Sequence, residues 1–183
     1  MIEDLEHIIE GCRQNKQEAQ RLLYELFSNR MFGVCLRYAG SREDAQDILH
    51  EGFLKIFEKI GQFEARGSFE GWIRRIMVNT AMEKYRNHFK VMNMQEDTGE
   101  LDRHNSAEMP DNITVQELLS MIRELSPQYR VVFNLYAIEG YSHKEISTML
   151  DISEGTSKSN LSRARAILQE KVKEYYKQEA RVG

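Results

Sequence analysis

Three stretches of the sequence combine residue types and spacing that could bind nucleic acid or protein. One of them is SEGTSKSNLSRARAI, residues 153–167. Ser153 is a good N-cap residue, and Leu161, Ala164 and Leu168 follow at the spacing of one helix face. The rest of this predicted helix is polar and mostly basic, which would suit donors to base edges and cations to phosphates of duplex DNA. Its candidate contact residues are Lys158, Ser159, Asn160, Ser162, Arg163 and Arg165, with Asn160 and Arg165 at the flanks.

A second predicted helix and a short turn precede this stretch. Ser142 and Glu145 form an S-x-x-E capping box that opens HKEISTML, and Asp151-Ile152 turns the chain. A short helix, a tight turn and a longer basic helix are the sequence form of a helix-turn-helix. The alternative is a basic amphipathic helix with a solvated face, because such helices are common near C-termini.

The second stretch is GWIRRIMVNTAMEKYRNHFK, residues 71–90, in which cations alternate with aromatic residues. Cations and aromatic faces together are what single-stranded DNA requires, since each base can stack and each link carries a phosphate. The alternative is that the segment packs in a core, where Trp72 would join Ile73 and Met77. The candidate DNA contacts in and beside this stretch are Phe63, Phe69, Arg74, Arg75, Lys84 and Arg86.

The third stretch is REDAQDILHEGFLKIFEKI, residues 42–60, which predicts a helix with one apolar face. Carboxylates lie roughly opposite that face, and a leucine stands among them. These residues could form a solvated face, a metal or catalytic carboxylate site, or a protein-docking surface with an apolar centre and a charged rim. They are Asp44, Asp47, Glu51, Glu58 and Leu54.

The elements that must position these residues are helices. Hydrophobic periodicity at helical spacing, two prolines and no strand-like alternation predict an all-α protein of 183 residues. We expect helices over about 2–10, 16–38, 42–60, 69–89, 127–139 and 143–150, and a last one from Ser153 onward. Residues 93–116 carry six acidic residues against one arginine, with glycine, proline and serine punctuation. We therefore predict two small helical domains, 1–92 and 113–183, joined by a flexible acidic linker over 93–112.

Several classes of function lack support in the sequence. Cys12 and Cys35 stand alone, which predicts reduced thiols in a cytoplasmic protein without a zinc site or disulfides. No apolar run is long enough to span a membrane, and the acidic start does not resemble a secretory signal. We find no P-loop, GxGxxG, GxSxG or HExxH motif, so the sequence predicts no metal, no cofactor and no enzyme activity.

Along the chain, the stretch 42–60 is followed by the stretch 71–90 and then by ELSPQYRVVFNLYAIEGYSHKEISTMLDISEGTSKSNLSRARAIL, which contains residues 153–167. In this order, the three segments closely resemble the extracytoplasmic-function (ECF) type of bacterial RNA polymerase sigma factor. The resemblance covers nearly the whole chain apart from the linker and the tails. It implies a first domain that docks on core polymerase and melts the −10 element, and a second domain that reads the −35 element. The acidic linker would thread towards the RNA exit channel.

The resemblance also implies roles for particular residues. Asp44, Asp47, Glu51 and Leu54 would contact the clamp helices of the polymerase β′ subunit, and the β subunit would be a further partner. The loop Glu64–Phe69 and Asn79 would match the pocket for a flipped −10 base. The phosphates of the non-template strand that carries this base would be held by four cations, Arg74, Arg75, Lys84 and Arg86. Lys158, Ser159, Ser162 and Arg163 would read the −35 duplex, with Asn160 and Arg165 on its backbone.

One residue departs from the family pattern. Ser157 stands where members usually carry valine or a similar apolar residue, at a position we expect to point inward near the start of the recognition helix. Such factors are commonly held by an anti-sigma factor, and we expect one here, with no obligate homo-oligomer. The rival interpretations are a stand-alone helix-turn-helix regulator and a helical enzyme that holds a metal with Asp44, Asp47 and Glu51.

Overall fold

The computed structural model describes residues 2–92 and 113–182, and it divides the chain into two compact units, 1–85 and 86–183. The predicted linker, 93–112, lies outside the described residues. Every regular element of the described ranges is helical, which confirms the all-α prediction. The helices are α1 (Ile2–Arg13), α2 (Gln17–Tyr38), α3 (Arg42–Lys59), α4 (Phe69–Met92), α5 (Val115–Arg123), α6 (Pro127–Phe133), α7 (His143–Leu150) and α8 (Glu154–Val182).

In the first unit, α2 packs against both α1 and α3. The Ser41 hydroxyl accepts a hydrogen bond from the backbone N–H of Asp44 at 3.0 Å and caps the start of α3. The predicted apolar face of α3 is buried along its length and meets α4. The largest fully buried side chains of this core are Leu23, Met31, Tyr38, Ile48, Ile56, Ile73, Met77 and Met82.

Two glycines allow the helices of the first unit to approach closely. A Cβ atom on Gly11 of α1 would lie 2.6 Å from the Cβ of Ala19 on α2. A Cβ atom on Gly52 of α3 would lie 2.2 Å from the Sδ of Met77 on α4. The Ala19 Cβ cannot move aside, so the crossing of α1 and α2 depends on the missing side chain of Gly11, whereas a side chain at position 52 would force the end of Met77 to shift.

The two cysteines belong to this core. Both thiols are buried, and burial raises the pKa of Cys12 to about 11 and the pKa of Cys35 to about 12. Because the thiolate is the reactive form, neither side chain is a nucleophile near neutral pH.

The second unit is built around α8, against which α5, α6 and α7 pack. Its core joins Ile122 and Leu125 to Ala164 and Leu168 of α8. The helix α5 was not predicted. It begins with a capping box between Thr114 and Glu117 and is tied to α8 by polar contacts: the Tyr175 hydroxyl donates to Glu117, and Lys171 pairs with Glu124 at 2.5 Å.

The helices α7 and α8 form the predicted helix-turn-helix. The capping box between Ser142 and Glu145 is present at the start of α7. Asp151 adopts the left-handed conformation, with φ of 57°, and the N–H of Ile152 donates to the carbonyl of Ser147 at 3.1 Å. The Ser153 hydroxyl then accepts from the N–H of Thr156 at 2.9 Å and caps α8. The chain therefore reverses through a tight turn with both helix ends hydrogen-bonded.

Two predicted helices end differently from the prediction. The helix predicted over 127–139 is α-helical only to Phe133 and continues as a π-helical turn over Asn134–Ile138. Ser126 lies at the N-cap position, but its side chain makes no capping hydrogen bond. A 3₁₀ turn over Ile60–Gln62 follows α3.

None of the described helices is both long enough and apolar enough to cross a membrane.

Candidate protein and nucleic-acid interfaces

The exposed side of α3 carries the carboxylates and the leucine that the sequence singled out, and we call Asp44, Asp47, Glu51 and Leu54 the acidic face. Leu54 is 70% exposed, Asp47 and Glu51 are exposed, and Asp44 is half-buried. The opposite side of α3 faces the core, so the arrangement of the helix presents all four residues on the surface. An apolar centre with a charged rim is the composition of a protein-binding patch.

Two lysines brace the acidic face. Lys84 Nζ lies 2.9 Å from Asp44 Oδ1 and 3.4 Å from Asp47 Oδ2. Lys55 Nζ lies 2.8 Å from Glu51 Oε1 and 2.5 Å from Oε2 of Glu83 on α4. The hydrogen bond from Lys84 is the largest of the effects that lower the pKa of Asp44, and the same bond raises the pKa of Lys84. Both partners are therefore charged near neutral pH.

Lys84, which we expect with Arg74, Arg75 and Arg86 to hold −10 phosphates, pairs with Asp44 and Asp47 in this structure. About two and a half turns of α4 separate Lys84 from Arg75, so their side chains lie on opposite sides of the helix. Lys84 faces α3, whereas Arg75 lines a cavity at the start of α4. Lys84 therefore pairs with two carboxylates of the acidic face.

The cavity has a volume of about 380 Å³ and opens between the end of α3 and the first turns of α4. Phe63, Trp72 and Arg75 supply its aromatic and cationic walls. The loop that connects the two helices closes another side, and two of its residues have positive φ: Ala65 at 56° and Gly67 at 140°. Other loop residues that line the cavity are Glu64, Arg66 and Ser68.

The aromatic wall is held by contacts among three rings. The Phe63 and Trp72 ring centroids lie 5.6 Å apart, and Phe69 lies 5.0 Å from Phe63 and stacks on Trp72 at 5.6 Å. Phe69 is only 5% exposed, so it supports the wall from behind instead of lining the cavity. Arg13 Nη2 of α1 donates to the Phe63 carbonyl at 2.8 Å and fixes that corner of the loop.

Trp72 is the cavity residue that sequence reasoning placed in the core. It is half-buried and has one side on Phe69 and the other on the cavity. The signal that could have revealed this role was the cluster of aromatic residues just before and after the loop. Of the predicted single-strand contacts, Asn79 and Arg86 are exposed on α4 and Arg74 is half-buried there, and none of these three lines the cavity.

The recognition helix α8 presents most of its predicted contact residues to solvent. Lys158, Ser162 and Arg165 are exposed, whereas Ser159 and Arg163 are half-buried. The Ser159 hydroxyl donates to the carbonyl of Thr156 at 3.0 Å. This cluster gives the exposed side of α8 three cations and two small hydroxyl residues.

Asn160 differs from the expectation that it would lie at the flank of the recognition helix. Its side chain is on the packed side of α8, where it is 5% exposed. The helical wheel places Asn160 near the boundary between the two faces of α8. Its side chain is therefore not presented on the exposed side of the helix in this structure.

Ser157 points inward, as expected, and it has a partner. It is fully buried, and its hydroxyl lies 2.9 Å from Nδ1 of His143 at the start of α7. The His143 ring in turn stacks on Tyr136 with centroids 4.6 Å apart, and the Arg165 guanidinium lies 5.6 Å from the centroid of the Tyr136 ring. Burial lowers the pKa of His143, with further lowering by the cations Lys158 and Arg165 that Glu154 partly offsets.

The described residues contain no group of three or more histidine, cysteine or carboxylate side chains arranged to hold a metal ion. In particular, the Asp44 and Asp47 carboxylates converge on the ammonium group of Lys84.

Comparison with known proteins identifies both units. Residues 23–90 match the model of Sigma-70 region 2, and residues 115–168 match the model of Sigma-70, region 4. Together the two matches span about two thirds of the chain.

Curated relatives include the ECF RNA polymerase sigma-E factor of Haemophilus influenzae, which is 27% identical over 90% of this chain and 93% of that protein. The ECF RNA polymerase sigma factor SigE of Mycolicibacterium smegmatis is 29% identical over 78% of this chain and 57% of that protein. The fold resembles the sigma factor RpoE of Bartonella quintana, solved with the anti-sigma factor NepR, at a TM-score of 0.50, with 22% identity over 84% of this chain and 96% of that one. The chain therefore belongs to the sigma-70 family and is a sigma factor of the extracytoplasmic-function type, a transcription initiation factor and not an enzyme.

Proposed function

We propose that this sigma factor performs its three tasks through three separate surfaces: the acidic face of α3, the aromatic cavity at the start of α4, and the exposed side of α8. The acidic face docks on core RNA polymerase, the cavity takes a base of the opened −10 element, and α8 reads the −35 duplex. The observation that carries the proposal is that one chain combines an aromatic, cation-lined cavity with a helix-turn-helix.

The acidic face docks on the clamp helices of the β′ subunit, and the β subunit is a further contact. Leu54 supplies the apolar centre, because a side chain that is 70% exposed gains most when a partner covers it. The carboxylates of Asp44, Asp47 and Glu51 supply a rim that would select a basic partner surface. Lys84 and Lys55 hold these carboxylates in place without covering Leu54.

The cavity takes an unstacked base of the non-template strand. A base that leaves the duplex stack needs an aromatic face to replace its neighbours, and Phe63 and Trp72 offer such faces. Arg75 on the cavity wall is placed to pair with a phosphate, as are the exposed Arg86 and the half-buried Arg74 elsewhere on α4. Phe69 supports the aromatic wall from behind, and Asn79 contacts the strand beside the cavity.

The exposed side of α8 enters the major groove of the −35 duplex. Lys158 and Arg163 donate to base edges or phosphates near the N-terminal part of the helix, where recognition helices make their base contacts. Ser159 and Ser162 are small enough to allow close approach. Arg165, at the flank, contacts the backbone.

Three further parts of the proposal concern the setting of the protein. The acidic segment 93–112 connects the two domains, 1–92 and 113–183, and threads towards the RNA exit channel. An anti-sigma factor holds the free protein, in line with the neighbour RpoE that was solved with NepR. The protein acts in the cytoplasm, where polymerase and promoter DNA are found, as a single copy per polymerase.

The proposal is tested by transcription from a library of duplexes with randomised upstream sequence, with core polymerase alone and with core plus the full chain. We expect run-off transcripts from one class of sequence with two conserved elements, and only when the chain is present. A stand-alone regulator would instead enrich duplexes without polymerase and would add no new transcripts to core alone. That second result would contradict the proposal.

A further inference from the structure

Four side chains in the second unit contact one another in a continuous series, which we call the stack and which ends at Arg165 on the exposed side of α8. Ser157 is hydrogen-bonded to His143, His143 stacks on Tyr136, and Tyr136 lies under the guanidinium of Arg165. The members come from the π-helical turn after α6, from the first residue of α7 and from α8. Only Arg165 among them belongs to the proposed −35 contacts.

The stack is fixed from its buried end. A fully buried hydroxyl needs a hydrogen-bond partner, and the His143 ring is the one that Ser157 has at 2.9 Å. Because Nδ1 of His143 is tied to the start of α8, the plane of the ring is set. The near-parallel stacking, with an interplanar angle of 24°, then sets the plane of Tyr136.

The exposed end of the stack acts on Arg165. An exposed arginine has many rotamers and loses that freedom when it binds a phosphate. A guanidinium that already lies over an aromatic face keeps its edge N–H groups free for a phosphate and loses less freedom on binding. The neutral state of His143 also matters, since an imidazolium beneath Tyr136 would repel Arg165.

We propose that Tyr136 and His143, anchored by Ser157, form a platform that positions Arg165 on one phosphate of the −35 duplex. The inference rests on the proposed function, because it requires α8 to bind that duplex. Tyr136 and His143 are positioning residues: they act on DNA through Arg165. The contact is with the backbone, so it contributes affinity and register without selecting a base.

The salt dependence of DNA binding separates this role from a purely structural one. The slope of log K against log salt is negative, and each phosphate contact that is lost reduces its magnitude by about 0.9, whereas a general loss of stability leaves the number of contacts unchanged. The measurement uses polymerase reconstituted with the full chain, bound to a promoter duplex taken from the library selection, over about 50 to 200 mM salt.

The variants are chosen to remove one feature at a time. Tyr136→Leu removes the aromatic face and Arg165→Gln removes the cation, and we expect each to reduce the magnitude of the slope by about 0.9. The double variant should reduce the magnitude no further, because both changes remove the same contact. Tyr136→Phe retains the ring and should rescue the slope. Tyr129→Leu, a tyrosine of the same unit that packs on its core, is the matched control and should keep the slope of the unmodified protein.

Two outcomes overturn the inference. If Tyr136→Leu keeps the original slope while Arg165→Gln reduces its magnitude, Arg165 does not need the platform. If Arg165→Gln also keeps the original slope, Arg165 contacts no phosphate. Should Tyr136→Leu fail to fold, His143→Leu takes its place and is judged by the same slope. Failure of the proposed function is a different result: polymerase with the unmodified chain would not select any promoter duplex.

Discussion

Individual side chains at the proposed DNA-binding surfaces depend on neighbours that are distant in sequence. Ser157 illustrates this: its inward position follows from helical spacing, but its partner does not. The hydroxyl meets His143, fourteen residues earlier, because the turn at Asp151 brings the start of α7 to the start of α8. A polar residue is therefore accommodated at a buried position that the family usually fills with an apolar one.

The His143 ring makes the second unit sensitive to acid. Its pKa in the folded protein is lowered, so the unfolded chain binds the proton more readily, and stability falls as the pH drops below about 6.5 and through the lower folded-state pKa. We expect His143→Gln to reduce this loss between about pH 7 and pH 5. The loss of stability is measured by amide hydrogen exchange of α7 and α8 across this pH range.

The control for this pH effect is His50→Gln, which changes an exposed histidine in the first unit. It should leave the acid sensitivity of α7 and α8 as it is. An equal loss of protection in the His143→Gln variant and the unmodified protein would show that another group is responsible.

Arg163 is the residue of α8 on which base reading can be tested most simply. Arg163→Ala should weaken binding of the reconstituted polymerase to its promoter by about 1–3 kcal/mol and relax the preference at one −35 position, if the guanidinium reads a base. Competition between promoter variants measures both quantities.

Lys173→Ala is the matched control for Arg163→Ala, because Lys173 is an exposed cation further along the same helix that pairs with Glu170 at 3.7 Å. It should change neither affinity nor preference. Unchanged promoter choice and affinity in Arg163→Ala would remove this residue from the recognition surface.

The helices show which structural features can be predicted from a sequence and which cannot. The buried faces of α3 and α8 follow from apolar spacing, and the caps at Ser41, Ser142 and Ser153 follow from local chemistry. The short helix α5 was missed, although its Thr114-x-x-Glu117 capping box has the same form as the one that predicted α7. The pairing of Lys84 with Asp44 was missed because it depends on how α3 and α4 cross.

The close crossing of α1 and α2 can be tested at one glycine. Gly11→Ala places a methyl group 2.6 Å from the Ala19 Cβ, which cannot rotate away, so we expect a loss of about 1–3 kcal/mol in the stability of the first unit. Urea unfolding monitored by Trp72 fluorescence reports on this unit, because Trp72 is the single tryptophan.

Gly33→Ala provides the control within α2. Its Cβ would meet nothing within 4 Å, and alanine favours a helix interior over glycine, so stability should rise by up to about 1 kcal/mol. A Gly11→Ala protein as stable as the original would mean that α1 and α2 separate easily at this point.

The whole chain distributes charge according to task. The net charge is −4, yet six acidic residues fall between 93 and 116 and further carboxylates form the acidic face, while Lys158 and Arg165 of α8 remain exposed. The family could be identified from the sequence because three stretches occur in the order of sigma regions 2 and 4. The resemblance also placed a pocket at the loop Glu64–Phe69, whereas the position of Trp72 on the cavity wall was not predicted, since the walls come from both sides of a loop with two residues at positive φ.

The central claim is that the acidic face of α3 docks on polymerase, and equilibrium binding of the full chain to core RNA polymerase tests it most directly. Leu54→Arg should weaken binding at least about tenfold, as expected for the apolar centre of an interface. Leu26→Arg, at a leucine of α2 that is 50% exposed, is the matched control and should bind as the unmodified chain does. Equal affinity of the Leu54→Arg variant and the unmodified chain, with both folded, would contradict the account.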